Sequence, residues 1–354
     1  MQKTLLYIVL LAILGFGVYY FVFNNKESGF SSEDAAFNVR DTGAIGKIFI
    51  TDNTGQSVLL ERKEDGWMVN KQYKALQSPM NTLLQTLARQ VAAYPVPKAQ
   101  HNMVVKDMSG NATKVELYRI GGEKMHIFYI GGQVHGDDGS YMLMDGAEVP
   151  YVVKVPGFSG YLTPRYPIKL EDWRDRTVFN IPAADIKSVS VQYPAEPLNS
   201  FTINQDAKGK LSVDVDPGIK SHFEVNERRA KLYLGYFEKI YSEGYANGTD
   251  GLDSVLRVTP KRCSFTITDT KDKQQHVDIY WRPINKRSKN LETPNKITPD
   301  EYDSDRFYAV MNNNKDTAVV QIYTFYKLFH KAYEFYQADE ENKSTEFSVM
   351  PEKK

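Results

Sequence analysis

Cysteine is nearly absent from this chain of 354 residues, and Cys263 is the only one. One cysteine cannot form an intramolecular disulfide or a multi-cysteine zinc site, so both kinds of stabilisation are excluded. The strand-like run Ser264 to Ile267 follows it. A single cysteine in such a run is typical of a small buried hydrophobe rather than of a catalytic nucleophile.

An excess of charge of either sign is also absent, because 44 Lys and Arg residues balance 44 Asp and Glu residues. Binding of nucleic-acid phosphates requires a concentrated positive surface, so we do not expect nucleic acid as a partner. The chain has no Walker A loop, no GxGxxG, HExxH or GxSxG sequence and no EF-hand loop, and its six histidines lack paired spacing. These absences predict a protein without cofactor, metal ion or enzymatic activity.

A long apolar run is present at the N-terminus, where every residue from Leu5 to Phe23 is apolar, aromatic or Gly. At about 1.5 Å per residue, a helix of this length spans the roughly 30 Å hydrocarbon layer of a bilayer. A cleaved signal peptide is the alternative, but its apolar region usually ends at small residues. This run ends with the bulky residues Tyr19 to Phe23, so we predict a transmembrane anchor within residues 1–25.

The charges beside the anchor predict its orientation. Lys3 and the amino group precede the apolar run, whereas acidic residues soon outnumber Lys26 on the other side. Lys and Arg favour the cytoplasmic side of a membrane. We therefore expect a single-pass protein of the inner (cytoplasmic) membrane with a cytoplasmic N-terminus and a periplasmic or otherwise extracytoplasmic body. The polar residues 26–44 are predicted to be a linker between them.

The body shows signs of internal duplication. The strand-like run Ile45 to Ile50 recurs 141 positions later at Ile186 to Val191. After Pro79, apolar residues that include Leu83 and Leu87 recur at helical spacing and predict a helix. Beyond this helix the offset is 150, with His126-Ile127 matching His276-Val277, and farther on it is 167. Strand alternation also repeats by chance, which is the alternative to true duplication.

Taken as a duplication, this pattern predicts an α+β fold. Each copy reads as strands, one helix and further strands, which favours two tandem antiparallel sheets behind the anchor. The first repeat covers 45–178, the second covers 179–338, and the polar tail 339–354 is predicted to be disordered. Apolar spacing predicts that an amphipathic packing helix from Phe325 to Tyr336 closes the second repeat.

Several of these segments resemble a known family. They are Ile45–Ile50 leading to Glu64–Val69, and above all Asp172–Phe179 leading into Asp185–Val191. With the N-terminal anchor, they resemble the bacterial family known as domain of unknown function 4340 over most of the body. The resemblance implies an envelope protein, in some cases placed beside auxiliary components of ABC transporters, including those linked to gliding motility. It supplies no catalytic residues that can be carried onto this chain.

The two predicted repeats differ by an insertion. The change of offset from 150 to 167 predicts 17 additional residues between Ile279 and Tyr308. Loops of this length in a compact domain are usually functional or disordered, and disorder without function is the alternative here. The insertion is charged, and its basic residues are candidates for binding a partner protein or lipid headgroups: Arg282, Lys286, Arg287 and Lys289.

Two acidic segments are weaker candidates for a cation site. Gly131 to Gly139 contains His135, Asp137 and Asp138, but Gly-rich Asp-Gly sequences between strands are typical of turns. The stretch Asp300 to Asp305 is rich in carboxylates but lacks the spacing of a known Ca²⁺ loop. We interpret the first as a hairpin turn and the second as a solvated acidic segment.

These observations favour a non-enzymatic envelope protein, an extracytoplasmic binding or scaffolding module that works with other membrane proteins such as an ABC transporter or a gliding-type complex. Two alternatives stay open. One is a hydrolase of envelope polymers, which needs a cleft holding two carboxyl groups with separated pKa values. The other is a peptide binder that adds a strand to an exposed sheet edge.

Overall fold

The computed structural model of the protein describes residues 34–136, 138–217, 224–286, 288 and 299–336. The predicted anchor (1–25) and the predicted tail (339–354) lie outside these residues. Within the described part of the chain, no helix combines the length and the apolar character needed to cross a membrane. The chain divides into two compact units, and the boundary in the sequence lies between Asp175 and Arg176.

The first unit is built on one antiparallel sheet with the strand order β4-β3-β2-β1-β6-β7-β8-β9-β5. Its strands are β1 (Ile45–Thr51), β2 (Ser57–Lys63), β3 (Gly66–Val69), β4 (Tyr73–Lys74), β5 (Val91–Pro95), β6 (Thr113–Arg119), β7 (Lys124–Gln133), β8 (Ser140–Met144) and β9 (Tyr151–Lys154). Its helices are α1 (Gln77–Arg89), α2 (Lys98–Asn111) and α3 (Leu170–Trp173).

Side-chain alternation makes one face of this sheet the core of the first unit. Ile48 and Ile50 of β1 are fully buried, and the residues between and beside them are only partly buried. Helix α1 covers this face because Leu83 and Leu87, one helical turn apart, point towards the strands. Burial of each such side chain stabilises the unit by roughly 1.5–3 kcal/mol.

The described end of the predicted linker packs on this core. Of residues 26–44, those from Asp34 onward are described, and among them Phe37 is fully buried and Val39 is 5% exposed. The Val39 N–H donates to the Leu87 carbonyl at 2.8 Å, and Gln90 Nε2 donates to the Phe37 carbonyl at 2.6 Å. The folded body therefore begins before Ile45, because two apolar residues in a polar segment suffice to dock it.

The second unit contains a large antiparallel sheet with the order β13-β12-β11-β16-β17-β18-β19-β15 and a small sheet of β10 and β14. Its strands are β10 (Thr177–Phe179), β11 (Ile186–Gln192), β12 (Phe201–Gln205), β13 (Leu211–Val215), β14 (Ile240–Tyr241), β15 (Gly244–Tyr245), β16 (Lys261–Asp269), β17 (Gln274–Pro283), β18 (Tyr302–Met311) and β19 (Asp316–Gln321). Its helices are α4 (Glu227–Leu234), α5 (Leu252–Val258) and α6 (Ile322–Phe325).

The two large sheets have the same plan. From β3 to β5 and from β13 to β15 the strands follow one order, and the first sheet adds only β4 at its edge. Ile48 pairs with Leu117 in the first sheet, and Val189, 141 positions later, pairs with Ile267, 150 positions later. Shared order and register fit two tandem copies of one antiparallel α+β unit.

The pairing corrects one predicted equivalence. Leu117 pairs with His126 in the first sheet, whereas Ile267 pairs with Gln275 in the second. His126 therefore corresponds to Gln275 and not to His276. The cause is a register irregularity in the β6-β7 hairpin, which gives β7 one extra residue. A comparison of the sequence alone misses this extra residue, because the incorrect alignment, displaced by one position, places His126 against His276.

The same slip affects the length of the insertion. Ile130 pairs with Met142, 12 positions later, whereas the equivalent Ile279 pairs with Ala309, 30 positions later. The second repeat therefore carries 18 additional residues (30 − 12) rather than the predicted 17.

The C-terminal segment does not form the single helix predicted from Phe325 to Tyr336. It consists of α6 and two 3-10 segments, Tyr326–Leu328 and Ala332–Tyr336. The helical run formed by α6 and the first 3-10 segment stops before Phe329, whose φ of −86° and ψ of 47° lie outside the helical region. The apolar spacing picked out Phe325, Leu328, Ala332 and Tyr336, which are buried in the second core, and Phe329, which packs against it. It also picked out Tyr333, which is 43% exposed, and it missed the buried Phe335.

Candidate functional site

Each large sheet has an outer face, opposite its core, and in the first unit α2 packs on that face. Val104 and Met108 of α2 contact a cluster that includes Tyr129 of β7 and Tyr141 of β8. The approach is close, because a Cβ atom placed on Gly131 would lie 2.9 Å from Met108 Cγ. The part of the outer face formed by β7 and β8 is thus an internal packing surface, whereas its β6 part carries an ion pair between Lys114 and Glu116.

The outer face of the second sheet is built differently. Helix α5 follows the edge strand β15 as α2 follows β5, but it has 7 residues against 14, and Leu252 is its buried residue. Tyr280 occupies the position equivalent to Gly131, one residue after the matched pair Ile130 and Ile279. A bulky ring therefore stands where the first sheet leaves room for a helix.

Polar side chains of β16 and β17 meet on this face at one carboxylate oxygen. Asp278 Oδ1 lies 2.5 Å from Ser264 Oγ, 2.9 Å from Lys261 Nζ and 3.1 Å from His276 Nε2. The geometry follows from strand pairing, because Ser264 lies directly opposite Asp278 and alternate residues of a strand share a face. We call Lys261, Ser264, His276 and Asp278 the Asp278 cluster.

The electrostatics of the Asp278 cluster favour an ionised carboxylate. Burial on its own raises the pKa of Asp278, but hydrogen bonds from Ser264 and Lys261 oppose burial and together hold the pKa below its ordinary value. The Asp278 side chain is 11% exposed, whereas that of His276 is 50% exposed. The cluster therefore places a sheltered anion beneath a solvent-facing imidazole and ammonium group.

A row of three groups in this region resembles the order of a nucleophilic catalytic site. Thr266 Oγ1 lies 2.8 Å from His276 Nδ1, and His276 Nε2 contacts Asp278. The order hydroxyl, imidazole, carboxylate is that of a triad. However, the oxygen that contacts the imidazole also binds Lys261 and Ser264, and ordinary cross-strand neighbours produce the whole row. We interpret it as part of a polar binding surface.

The insertion begins at the end of β17, and a buried ion pair anchors its base. Asp303 is fully buried and accepts hydrogen bonds from Arg282 Nη1 at 2.7 Å, from Ser288 Oγ at 2.7 Å and from the Asp305 N–H at 2.9 Å. These donors join both ends of the inserted segment. The arrangement holds the ends of the insertion at the sheet.

The four predicted partner-binding residues therefore divide into groups. Arg282 is 15% exposed and is engaged by Asp303, so its visible role is to hold the base of the insertion. Lys286 is exposed in the turn that follows β17. Arg287 and Lys289 lie outside the described residues.

The glycine-rich loop between β7 and β8 has the contacts of a turn. Asp138 Oδ1 accepts a hydrogen bond from the Gly160 N–H at 2.8 Å, and Gly139 has a φ of 112°, a conformation that favours glycine. Asp137 lies outside the described residues. In the described ranges, no three His, Cys, Asp or Glu side chains are grouped so that they could hold a metal ion.

An open depression of about 340 Å³ in the second unit is lined by Lys239, Tyr241, Ser242, Glu243, Gln321 and Thr324. Glu243 forms a bidentate ion pair with Arg306, with Nε to Oε2 at 2.6 Å and Nη2 to Oε1 at 3.1 Å. The Arg306 hydrogen bonds lower the pKa of Glu243. The carboxyl group of this depression is therefore a paired anion.

No protein-family model, no curated protein and no solved structure matches the chain. The family resemblance drawn from the sequence stays a prediction, and function has to be inferred from geometry.

The sequence patterns do not single out the Asp278 cluster. A signal exists only once the register is known, since Ile127 and Tyr129 of the first repeat correspond to His276 and Asp278 of the second. Where the second sheet has an imidazole and a carboxylate, the first therefore has an apolar side chain and a phenol, whose hydroxyl donates to Asp145 Oδ1 at 3.0 Å.

Proposed function

We propose that this protein is a non-enzymatic, single-pass envelope protein whose extracytoplasmic body binds or organises other membrane proteins. The observation that carries the proposal is the difference between the two outer faces. Where α2 packs against Tyr129 on the first sheet, the second sheet has Asp278, which is equivalent to Tyr129, and its cluster. Polar faces of this kind give partner choice through charge complementarity rather than through bulk hydrophobicity.

Two carboxyl groups of the second unit support a binding role over the hydrolase alternative. Hydrogen bonds outweigh burial to lower the pKa of Asp278, and Arg306 lowers that of Glu243. Both groups are therefore anions at neutral pH. A glycosidase-type mechanism needs one carboxylic acid kept protonated by a raised pKa, and neither group is placed in such an environment.

The membrane part of the proposal is tested by labelling. Cys263 is fully buried, so a cysteine introduced at the exposed Lys271, in the β16-β17 turn, gives a single reactive thiol. In intact cells with a permeable outer envelope, Lys271→Cys should react with a membrane-impermeant maleimide, and the unaltered chain should not. Labelling that appears only after cell lysis would place the body in the cytoplasm and refute this part.

The binding face is tested by site-specific photo-crosslinking. A photoreactive amino acid at His276 lies on the proposed face, and one at Glu123, exposed in the β6-β7 turn of the first repeat, is the control. We expect His276 to form a discrete adduct with a membrane protein and Glu123 to form none. Identical adduct patterns at both positions would contradict a role specific to the outer face of the second sheet.

The insertion is proposed to belong to the same interface. Removing residues 289–298 keeps Arg282, Ser288 and Asp303, which anchor its base. The shortened chain should therefore fold, and its His276 adduct should be reduced. An undiminished adduct from the shortened chain would limit the interface to the sheet and remove the insertion from the proposal.

One observation favours strand addition as a second candidate. In the first sheet, β3 is followed by β4, and Ala75 beyond β4 bridges to Arg174. In the second sheet, β13 ends the order, and among the described residues Tyr336 Oη donates to its Val213 carbonyl at 3.0 Å. Val213→Pro removes one backbone donor of this edge strand. Because Val213 is 6% exposed and packs in the second core, Val213→Ala, which keeps the N–H, is the control for lost packing, and strand addition predicts that only Val213→Pro abolishes peptide binding.

A further inference from the structure

Arg262 is held between aromatic rings at the edge of the second core. Its guanidinium carbon lies 4.3 Å from the ring centre of Phe329, 4.7 Å from that of Trp281 and 5.4 Å from that of Phe307. Trp281 in turn stacks on Tyr302, with ring centres 5.7 Å apart and planes at 18°. The cation is thus part of a layered stack beside β17 and β18, the two strands that flank the insertion.

The guanidinium group has no hydrogen-bond acceptor among the described residues, and its Nε is buried without a partner. Arg176 and Arg282 also bury an unpartnered Nε, but each places Nη1 on an oxygen atom, the Glu243 carbonyl at 2.9 Å and the Asp303 carboxylate at 2.7 Å. Arg262 differs because neither Nη1 nor Nη2 forms such a hydrogen bond with a described residue.

Such a group is energetically unusual. Burial lowers the pKa of Arg262, yet arginine stays protonated in proteins, so the charge persists. Stacking on aromatic faces compensates part of the desolvation cost of a cation. It does not replace hydrogen bonds, and buried polar groups without partners are rare enough in folded proteins to require an explanation.

Among the described residues, acidic side chains compensate this charge only weakly. Glu196 acts on Arg262 only as the weakest of the interactions that perturb its pKa. The Glu196 carboxylate is already bound by Lys331 Nζ at 3.0 Å and by Asn199. The equivalent of Arg262 in the first repeat is Ala112, 150 positions earlier, so the cation belongs to the second repeat alone.

We propose that Arg262 is a binding site for a carboxylate group carried by an acidic peptide segment. A guanidinium whose faces are covered by rings presents its edge, and that edge matches a planar carboxylate through two parallel hydrogen bonds. One carboxylate neutralises the single charge, whereas a phosphate dianion would leave an excess negative charge near Glu196. The site is independent of the outer face and adds to the proposed function without relying on it.

The carboxylate has two possible sources. One is the acidic run Asp339–Glu341 of this chain, which follows the last described residue, Tyr336. The other is an acidic segment of a partner protein. Removing residues 337–354 distinguishes them, because only the first source is lost by this truncation.

Thermal unfolding of the full chain in detergent micelles tests the site, with acetate as the probe and chloride at equal ionic strength as the reference. In Arg262→Met the charge is replaced by an apolar side chain of similar length. Arg62→Met is the matched control, because Arg62 also lies 4.7 Å from a tryptophan ring, Trp67. Unlike Arg262, it donates to the carbonyl groups of Ile45 at 2.8 Å and Thr42 at 2.9 Å.

If a partner supplies the carboxylate, acetate at about ten times its dissociation constant should raise the Tm of the full chain by about 3–5 °C. If the tail supplies it, the truncated chain should melt lower in chloride and recover in acetate. When introduced into the chain that responds, full or truncated, Arg62→Met should retain the rise of Tm in acetate and Arg262→Met should lose it. An equal response in Arg262→Met, no response in either the full or the truncated chain, or a response to phosphate but not acetate would overturn the proposal.

Discussion

The first and second repeats each contain a large sheet of the same plan, and the two sheets differ in what lies on the outer face. Both sheets keep one strand order, and their β1-β6 and β11-β16 pairs keep one register. The first packs the 14-residue α2 on its outer face, and the second has the 7-residue α5, the Asp278 cluster and an insertion. Two units that have the same plan and differ at one face separate the residues that fold them from those free to serve another role.

The insertion illustrates the same separation at a smaller scale. Its base is an ion pair between Arg282 and the fully buried Asp303, whereas Lys286, a few residues on, is exposed. Residues of one charged loop thus serve different purposes. The comparison between the repeats can be sharpened by substitutions that separate these purposes.

The largest effect is expected from Asp303→Ala, which leaves Arg282 charged and unpaired at the base of the insertion. Breaking a buried pair in this way costs about 3–5 kcal/mol of unfolding free energy. Urea unfolding followed by the fluorescence of Trp281 reports on the second unit, whereas Trp67 and Trp173 report on the first. The loss should appear in the Trp281 signal.

The control for this prediction removes both charges. In Asp303→Ala combined with Arg282→Met, no uncompensated charge remains, so a large part of the lost stability should return. If the double variant is as unstable as Asp303→Ala alone, the ion pair is not what holds the base of the insertion.

A smaller effect is expected from Asp278→Asn, which removes the charge from the outer face of the second sheet. Hydrogen bonds to a charged group contribute roughly 1.5–3 kcal/mol. Because the folded-state pKa of Asp278 is lowered, its contribution is fully present above the unfolded pKa of about 3.9 and is lost as the pH falls through the lower, folded pKa. The difference between the unaltered chain and Asp278→Asn should therefore shrink when urea unfolding is measured at pH 7 and then at pH 3. A difference that does not change with pH would show that Asp278 is not ionised in the folded protein.

The shared framework could be predicted from the sequence because it depends on local alternation. Ile45 to Ile50 and Ile186 to Val191 carry the same period-two pattern, and the two runs do form equivalent central strands. Helix α1 was predicted for the same reason, since Leu83 and Leu87 repeat at helical spacing. Helix α2 was missed because it buries little beyond Val104 and Met108.

The candidate sites could not be predicted because they join residues that local patterns do not relate. Ser264 reaches Asp278 only through the pairing of β16 and β17, and Arg282 reaches Asp303 only because the insertion returns to the sheet. The polar composition of the linker predicted no packing at its end, where two apolar side chains, Phe37 and Val39, dock the segment on the first core. The anchor itself lies outside the described residues and stays a prediction.

Equivalent positions on the outer faces of the two sheets offer a pair of substitutions. Gly131→Val places a side chain where Met108 of α2 already packs, and overpacking of this kind costs about 1–3 kcal/mol. Tyr280→Ala changes the equivalent position of the second sheet, where the helix is shorter, and should cost less. Urea unfolding with Trp67 and Trp173 as reporters for the first substitution and Trp281 for the second measures both. Equal losses would mean that the two outer faces are packed alike, contrary to the comparison drawn between the repeats.

The smallest effect is expected from Lys286→Ala within the insertion. Exposed substitutions away from caps, cores and ion pairs usually change stability by less than about 0.5 kcal/mol, and Lys286 is exposed. Arg282→Met, four positions earlier, should cost several times more because it leaves the buried Asp303 unpaired. If the insertion contacts a partner, Lys286→Ala should weaken the photo-crosslink from His276 while leaving the urea midpoint unchanged. A loss of stability without a change in the crosslink would instead make Lys286 part of the fold, and the division of this loop into anchoring and interacting residues would be wrong.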